Sequence, residues 1–254
     1  MESKATSAIQ SVDRVFQIME LLSEYPKGLA LMDICAQTGL PKATVSRMLC
    51  ALSDNGYAVQ DTENRKYRLT RRLFEIGSRV ADSANILTAA RPFLDQLARQ
   101  TGEAVHLVSR VKDEVVYLYK EEGASIGVRM GSYVGLHNPM YCTGVGKSIL
   151  AFLPDEEITA IWNRSEITQF TENTITTIEK LYEEINKIRS LGYALDMEEH
   201  EPGVRCIAAP ILDLKRNPIA AISLSAPSIR MSADRIDALV PLVLQTAAQI
   251  SRSY

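Results

Sequence analysis

Val12, Val15, Phe16, Met19 and Leu22 recur at the spacing of one helix face, and Pro26-Lys27-Gly28 ends the run. A second, short helix is predicted over Leu31 to Gln37, with Ile34 and Cys35 inward. Gly39 can take the left-handed turn after it. Pro41 suits a first helical position, where its missing N–H costs nothing. A third helix follows from about Lys42 to Asn55, with Val45, Met48, Leu49 and Leu52 as its buried stripe and Gly56 as its stop. Tyr57 to Gln60 and Lys66 to Thr70 alternate on either side of the polar tip Asp61-Thr62-Glu63-Asn64, which predicts a two-stranded hairpin. Three helices and a hairpin, in that order, make a winged helix-turn-helix. Leu73, Ile76 and Val80 return to helical spacing over residues 71–82 and read as a linker helix.

From about Ser83 the pattern changes. A helix is predicted over 86–100 through Leu87, Pro92, Leu94 and Leu97. Strands are predicted at Ala104–Arg110 and Glu114–Lys120 around the Lys112-Asp113 turn, with a third candidate at Ser125–Met130. Thr143–Phe152, 155–163 and 177–190 read as helices. Arg205–Leu212 and Pro218–Ser225 read as a central hairpin, and a last helix covers roughly 232–252. Strands, helices and strands again in one segment give an α+β class. The expected organisation is a DNA-binding domain over 1–70, the linker helix over 71–82 and a second domain over 83–254.

Charge sharpens the division. Among the 254 residues the formal net charge is -3, so a uniformly basic nucleic-acid coat is excluded. Residues 1–82 nevertheless hold 11 Lys+Arg against 10 Asp+Glu, and Arg65, Lys66, Arg68, Arg71 and Arg72 fall within eight positions. The polar N-terminus lacks a signal-peptide core, and no apolar run reaches a membrane span; the expectation is a cytoplasmic protein with no membrane partner. Cys35, Cys50, Cys142 and Cys206 stand far apart without a CxxC pair, which argues against a disulfide framework or a zinc ribbon.

The helix after Gly39-Leu40-Pro41 exposes Lys42, Ala43, Thr44, Ser46 and Arg47 while burying Val45 and Met48. A recognition helix needs this division, with short polar groups and a guanidinium reaching the major groove and the opposite stripe holding the helix down. Arg65 and Lys66 at the hairpin tip become wing contacts to double-stranded DNA.

Other chemistry is weaker. Gly146-Lys147-Ser148 would need a glycine at position 141 to complete a Walker A loop, and Tyr141 stands there. Cys206, His200 and Asp196 could make a nucleophile, base and orienter, but Cys206 opens an apolar strand and no oxyanion hole is apparent nearby. His137, Cys142, His200 and Cys206 lack diagnostic zinc spacing. His106 is expected on a strand face with no special role. No catalytic set, cofactor or metal is therefore expected. The alternative is a small-molecule-binding enzyme with an N-terminal adaptor module.

Ser11-Val12-Asp13-Arg14-Val15 with Leu21-Leu22, then Leu40 to Leu49 (LPKATVSRML) and Gly56-Tyr57, resembles the N-terminal domain of the IclR-type family of bacterial transcription regulators. Cys142-Thr143-Gly144-Val145-Gly146-Lys147-Ser148 and the run Asp196 to Pro210 (DMEEHEPGVRCIAAP) resemble segments of its effector domain. The resemblance spans nearly the whole chain. It implies a GAF-like C-terminal domain whose cup holds a small carboxylate, with Met130, Asn138, Gly144, Val145, Asp196, Cys206, Ser223 and Ser225 at the matching positions. It also implies homodimers joined through the N-terminal domains and often paired into tetramers, and repression of a catabolic operon. Asn138 replaces an apolar residue of some members, and Asn138 to Cys142 (NPMYC) resembles the branch that responds to sugar acids. On chemistry alone, Ser223 and Ser225 share one face of a strand, Gly144 and Val145 can offer backbone donors, and Asp196 can accept from hydroxyls.

Overall fold

The computed structural model describes residues 10–83, 86–124 and 131–253. The chain forms two compact units, residues 1–83 and 84–254. The first contains α1 (Gln10–Ser23), α2 (Leu31–Thr38), α3 (Lys42–Asp54), the strands β1 (Ala58–Gln60) and β2 (Tyr67–Leu69), and α4 (Arg72–Ser83). Its core is Ile18, Leu22, Ile34, Val45, Leu49 and Leu52, with Met48 also buried. The stripe of α3 is the one the helical spacing gives. That of α1 is not: Val12 and Phe16 are exposed, at 41% and 55%, and Ile18 takes the inward position. The 3.6-residue period fixes an apolar face but not which neighbour covers it.

Two left-handed glycines shape this unit. Gly39, at φ 68, ends α2 and aims the chain into α3, whose cap is Pro41; the proline thus sits one residue before the first helical position. Gly28, at φ 79, lets Leu29 and Tyr67 exchange both backbone hydrogen bonds, at 3.0 and 2.8 Å. A side chain on Gly28 would sit 2.7 Å from the Tyr67 carbonyl oxygen.

The second unit contains α5 (Ile86–Thr101), β3 (Ala104–Val111), β4 (Glu114–Glu121), β5 (His137–Pro139), α6 (Gly144–Leu150), α7 (Asp155–Arg164), α8 (Ile178–Leu191), β6 (Ala194–Met197), β7 (Val204–Leu212), β8 (Pro218–Pro227) and α9 (Ala233–Ser253). The six strands form one sheet in the order β5-β4-β3-β8-β7-β6, every neighbour antiparallel. Odd-numbered residues of β7, Ile207, Ala209 and Ile211, pack with α5 and α9 on one face. The other face carries Ala208 and Ala221 under α6, α7 and α8. The edge strands β5 and β6 are additions to the pattern reading, and the candidate strand Ser125–Met130 lies outside the described residues. No helix among the described residues is long and apolar enough to cross a membrane.

Candidate functional site

In the first unit, Lys42, Ala43, Ser46 and Arg47 are exposed on α3, and Thr44 is half-buried. The carbonyl of Pro41 accepts from Thr44 and Val45, at 2.8 and 3.1 Å. The earlier N–H groups of a helix have no acceptor within it and are open to an anion. The hairpin tip is built on Asp61. Its Oδ1 accepts from the N–H of Glu63 and Asn64, at 2.9 and 3.1 Å, and these bonds hold its carboxyl below the usual range. Arg65 follows in the left-handed region, at φ 60, and projects with Lys66 from the exposed tip. The Gln60 amide braces the tip by donating to the Arg65 carbonyl at 2.9 Å.

In the second unit, register alone assembles a cup. Asp196 pairs with Cys206, and Cys206 with Ser225, across β6, β7 and β8. Two residues along the same sheet face, Ala208 pairs with Ser223, Ser223 with His106, and His106 with Lys120. These two rungs floor a cavity of about 260 Å³, a size for a small acid rather than a drug-sized ligand. Asn138, Gly144, Val145, Asp196, Cys206, Ser223 and Ser225 all line it; Met130 lies outside the described residues. Gly144 and Val145 enter because α6 starts there: Thr143 caps it, its hydroxyl oxygen accepting from the Gly146 N–H at 3.2 Å. A Cβ on Gly144 would come within 3.3 Å of Ala208 Cβ, so the helix start lies directly on the sheet.

Burial sets the protonation of the cup. It raises the Asp196 carboxyl above the usual range, against the opposing Glu199 N–H and Lys147. Asp196 Oδ1 accepts that N–H at 2.8 Å, so this side chain also closes the turn after β6. Burial, reinforced by Asp196, pushes the Cys206 thiol up; Ser225 donates to its Sγ at 3.0 Å. A thiol kept protonated is a poor nucleophile. His137 bonds Glu114 at 3.0 Å, His200 packs at a tilt against Phe170, and Cys142 is buried in the apolar core. Among the described residues no three His, Cys, Asp or Glu side chains gather as metal ligands.

Three features were not visible in the pattern. His106, expected to have no special role, lines the cavity and bonds Ser223 and Ser132; the pairing of β3 with β8 brings it to Ser223, which is remote in sequence. Tyr117 lies edge-on to His106 with ring centroids 5.2 Å apart, and its hydroxyl is 3.5 Å from the Asn138 amide nitrogen. Lys147 is fully buried, its ammonium paired with Glu199 and 3.8 Å from Glu184. Burial outweighs this partner and pushes the Glu199 carboxyl up to about 7.

The family described as "Bacterial transcriptional regulator IclR C-terminal" matches residues 78–252, and "IclR helix-turn-helix domain" matches residues 11–62. HTH-type transcriptional regulator KdgR of Escherichia coli (strain K12) is 34% identical over 248 residues, covering 98% of this chain and 94% of its own. HTH-type transcriptional regulator XynR of the same organism is 38% identical over 223 residues, covering 88% of each. Among solved structures, that of the Thermotoga maritima IclR matches with a TM-score of 0.82 at 30% identity, covering 96% of this chain and 99% of that one.

Proposed function

Because the chain belongs to the IclR family and is a DNA-binding transcriptional regulator, not an enzyme, we propose that it represses a catabolic operon and that a small carboxylate of sugar-acid type alters its hold on the operator. The observation that carries this reading is the convergence of Asn138, Gly144, Val145, Asp196, Cys206, Ser223 and Ser225 on one cavity. In it the acid's carboxylate meets the Ser223 hydroxyl and the N–H groups of Gly144 and Val145. Asn138 and Asp196 meet the hydroxyls. KdgR and XynR, both regulators of similar length, support the family role; the polar cup supports the ligand class. A thermal-shift screen tests it, since a ligand that binds only the folded state raises the melting temperature by mass action. Sugar acids are expected to stabilise the protein, and a response confined to aromatic acids would replace the sugar-acid reading.

The same proposal assigns residues 1–70 to DNA, 71–82 to a linker and 83–254 to effector binding. It makes Lys42, Ala43, Thr44, Ser46 and Arg47 the major-groove face and Arg65 and Lys66 the wing contacts. Arg47→Ala is expected to weaken operator binding by about 1–3 kcal/mol and to relax preference at one position of each half-site. Arg65→Ala is expected to weaken binding to all sequences alike and to lower the salt slope by about one. Gel-shift titrations over a salt series check both, and unchanged affinity in the two variants would remove α3 and the hairpin from the interface.

A homodimer through the first unit is part of this reading, with pairing of dimers into a tetramer as its extension. Val12 and Phe16 of α1 and Phe74 and Ile76 of α4 expose apolar surface, Phe74 to 77%. A two-fold pair would cover these residues and match a two-fold operator. Sedimentation of the full chain checks the assembly state.

For the cup, the informative substitution is Asp196→Asn. It keeps an acceptor for the Glu199 N–H, so the turn survives, but removes the charge offered to ligand hydroxyls. Effector affinity is expected to fall by about 1.5–3 kcal/mol. Operator affinity without effector is expected to stay unchanged. Calorimetry reads the first and gel shift the second. Equal effector affinity in both proteins would take Asp196 out of the site.

A further inference from the structure

His106 stands where two walls of the cavity meet. Its Nδ1 lies 3.2 Å from Ser223 Oγ and 3.5 Å from Ser225 Oγ, and its Nε2 lies 2.9 Å from Ser132 Oγ. Ser132 is in turn fixed by Lys120, whose ammonium donates to the Ser132 carbonyl at 2.8 Å. Burial, helped by that ammonium, pushes the imidazole down to about 3, so the ring is neutral. A neutral imidazole carries one proton, so one nitrogen donates and the other accepts.

The neighbouring hydroxyls decide which. Ser225 gives its proton to Cys206 Sγ, leaving only oxygen lone pairs toward His106. A bare Nδ1 would set its own lone pair against them. An Nδ1–H instead faces the oxygens of both Ser223 and Ser225, and Nε2 then accepts the Ser132 hydroxyl proton. The consequence falls on Ser223. With Nδ1–H donating to its oxygen, the Ser223 proton is free to point into the cavity. With the opposite tautomer, that proton would be spent on Nδ1 and Ser223 would show the cavity only lone pairs, which repel an anion and suit an alcohol.

We propose that His106 is held as the Nδ1–H tautomer and is a specificity-determining residue of the cup, because it turns the Ser223 hydroxyl into a donor for the anionic end of the ligand and so selects an acid over a polyol. For the ligand this rests on the carboxylate reading above; the tautomer stands without it. Among the described residues no lysine or arginine lines the cavity, so discrimination of charge falls to such neutral donors.

The chain has three histidines, so ring-nitrogen NMR shifts of uniformly ¹⁵N-labelled protein can be assigned with one His106→Asn control. In the ligand-free full-length protein Nδ1 is expected to carry the proton and Nε2 to be bare. An Nε2–H tautomer or a doubly protonated ring overturns the inference. The second measurement is calorimetry with D-gluconate and with D-glucitol, which keeps the hydroxyls and lacks the carboxylate. His106→Asn puts an amide near the place of Nδ1, and His106→Gln puts one near the place of Nε2. The preference for D-gluconate is expected to survive in His106→Asn and to drop about tenfold in His106→Gln, the worth of one good hydrogen bond. Equal losses in the two variants make His106 a structural residue only and overturn the inference. Failure of D-gluconate to bind the wild type removes the sugar-acid reading alone, and the tautomer measurement then decides.

Discussion

Gly146→Ala is expected to destabilise the second unit by about 3 kcal/mol or more and to abolish effector binding with it. A Cβ at this position would overlap Met140 Cα and the Met140 carbonyl oxygen, and would stand 2.7 Å from Met140 C. The obstacle is backbone, so no side-chain rotation relieves it. Nor can the 139–141 segment retreat freely. Pro139 is in register with Glu114 in the sheet, and the Tyr141 hydroxyl donates to the Thr168 carbonyl at 2.9 Å while accepting the Thr168 N–H at 2.8 Å. What can move is α6, and its first residues Gly144 and Val145 form one side of the cup. Stability and ligand binding therefore fall together. Thermal denaturation of the full-length variant followed by circular dichroism reads the first, and calorimetry the second. A variant within about 1 kcal/mol of wild type would show that the helix can stand further off the strand than the structure has it.

Lys147→Met is expected to cost about 3–5 kcal/mol, because removing one partner of a buried ion pair leaves the other charged and without compensation. The methionine fills similar volume, so the loss is electrostatic rather than a cavity. It is also expected to depend on pH. Glu199 already titrates near 7 in the folded protein, above its ordinary value of 4.5. A group with a raised folded pKa binds more protons folded than unfolded between those two values, so stability falls as pH rises through that window. Without the ammonium the Glu199 carboxyl is pushed higher still. The gap between wild type and variant is therefore smallest near pH 4.5, where Glu199 is largely protonated, and widest above 7. Urea denaturation at several pH values measures it. The double variant Lys147→Met with Glu199→Gln is expected to recover most of the loss, and a gap that ignores pH would mean that Glu199 is not the residue left exposed to the penalty.

Much of this was legible in the chain itself, in proportion to how local each signal is. The α3 stripe Val45, Met48, Leu49 and Leu52 is carried by one helix period, and all four are buried. Alternation gave the Ser223 and Ser225 side chains a common face, and the β7–β8 hairpin closes on the short turn at Asp213 to Asn217. The edge strands left no such trace. His137-Asn138-Pro139 is three residues long and ends in a proline, which lacks a ladder donor and suits an edge strand. Val12 and Phe16 keep helical spacing yet face outward, because an amphipathic pattern does not distinguish core from a surface that another chain could cover. In the cup, the resemblance supplied Asn138, Asp196 and Cys206, whose convergence depends on pairings that no local spacing encodes. His106 and Lys147 escaped for the same reason. Each owes its environment to partners far away in sequence, Ser223 in one case and Glu199 in the other.

The pairing of β3 with β8 has a consequence for the order in which the molecule comes into being. Ala104 lies against Ser225, 121 positions on, so the middle of the sheet stays open until almost the whole chain is available. Residues 10–70, by contrast, close their core with short-range contacts and are made first. During synthesis, domains fold as units from the N-terminus. A nascent or prematurely ended chain can thus own the helix and wing proposed to read the operator before it owns the proposed ligand cup. If the proposed roles hold, such a product would compete for the operator while deaf to the effector, and faithful induction would require complete translation and rapid removal of stalled fragments.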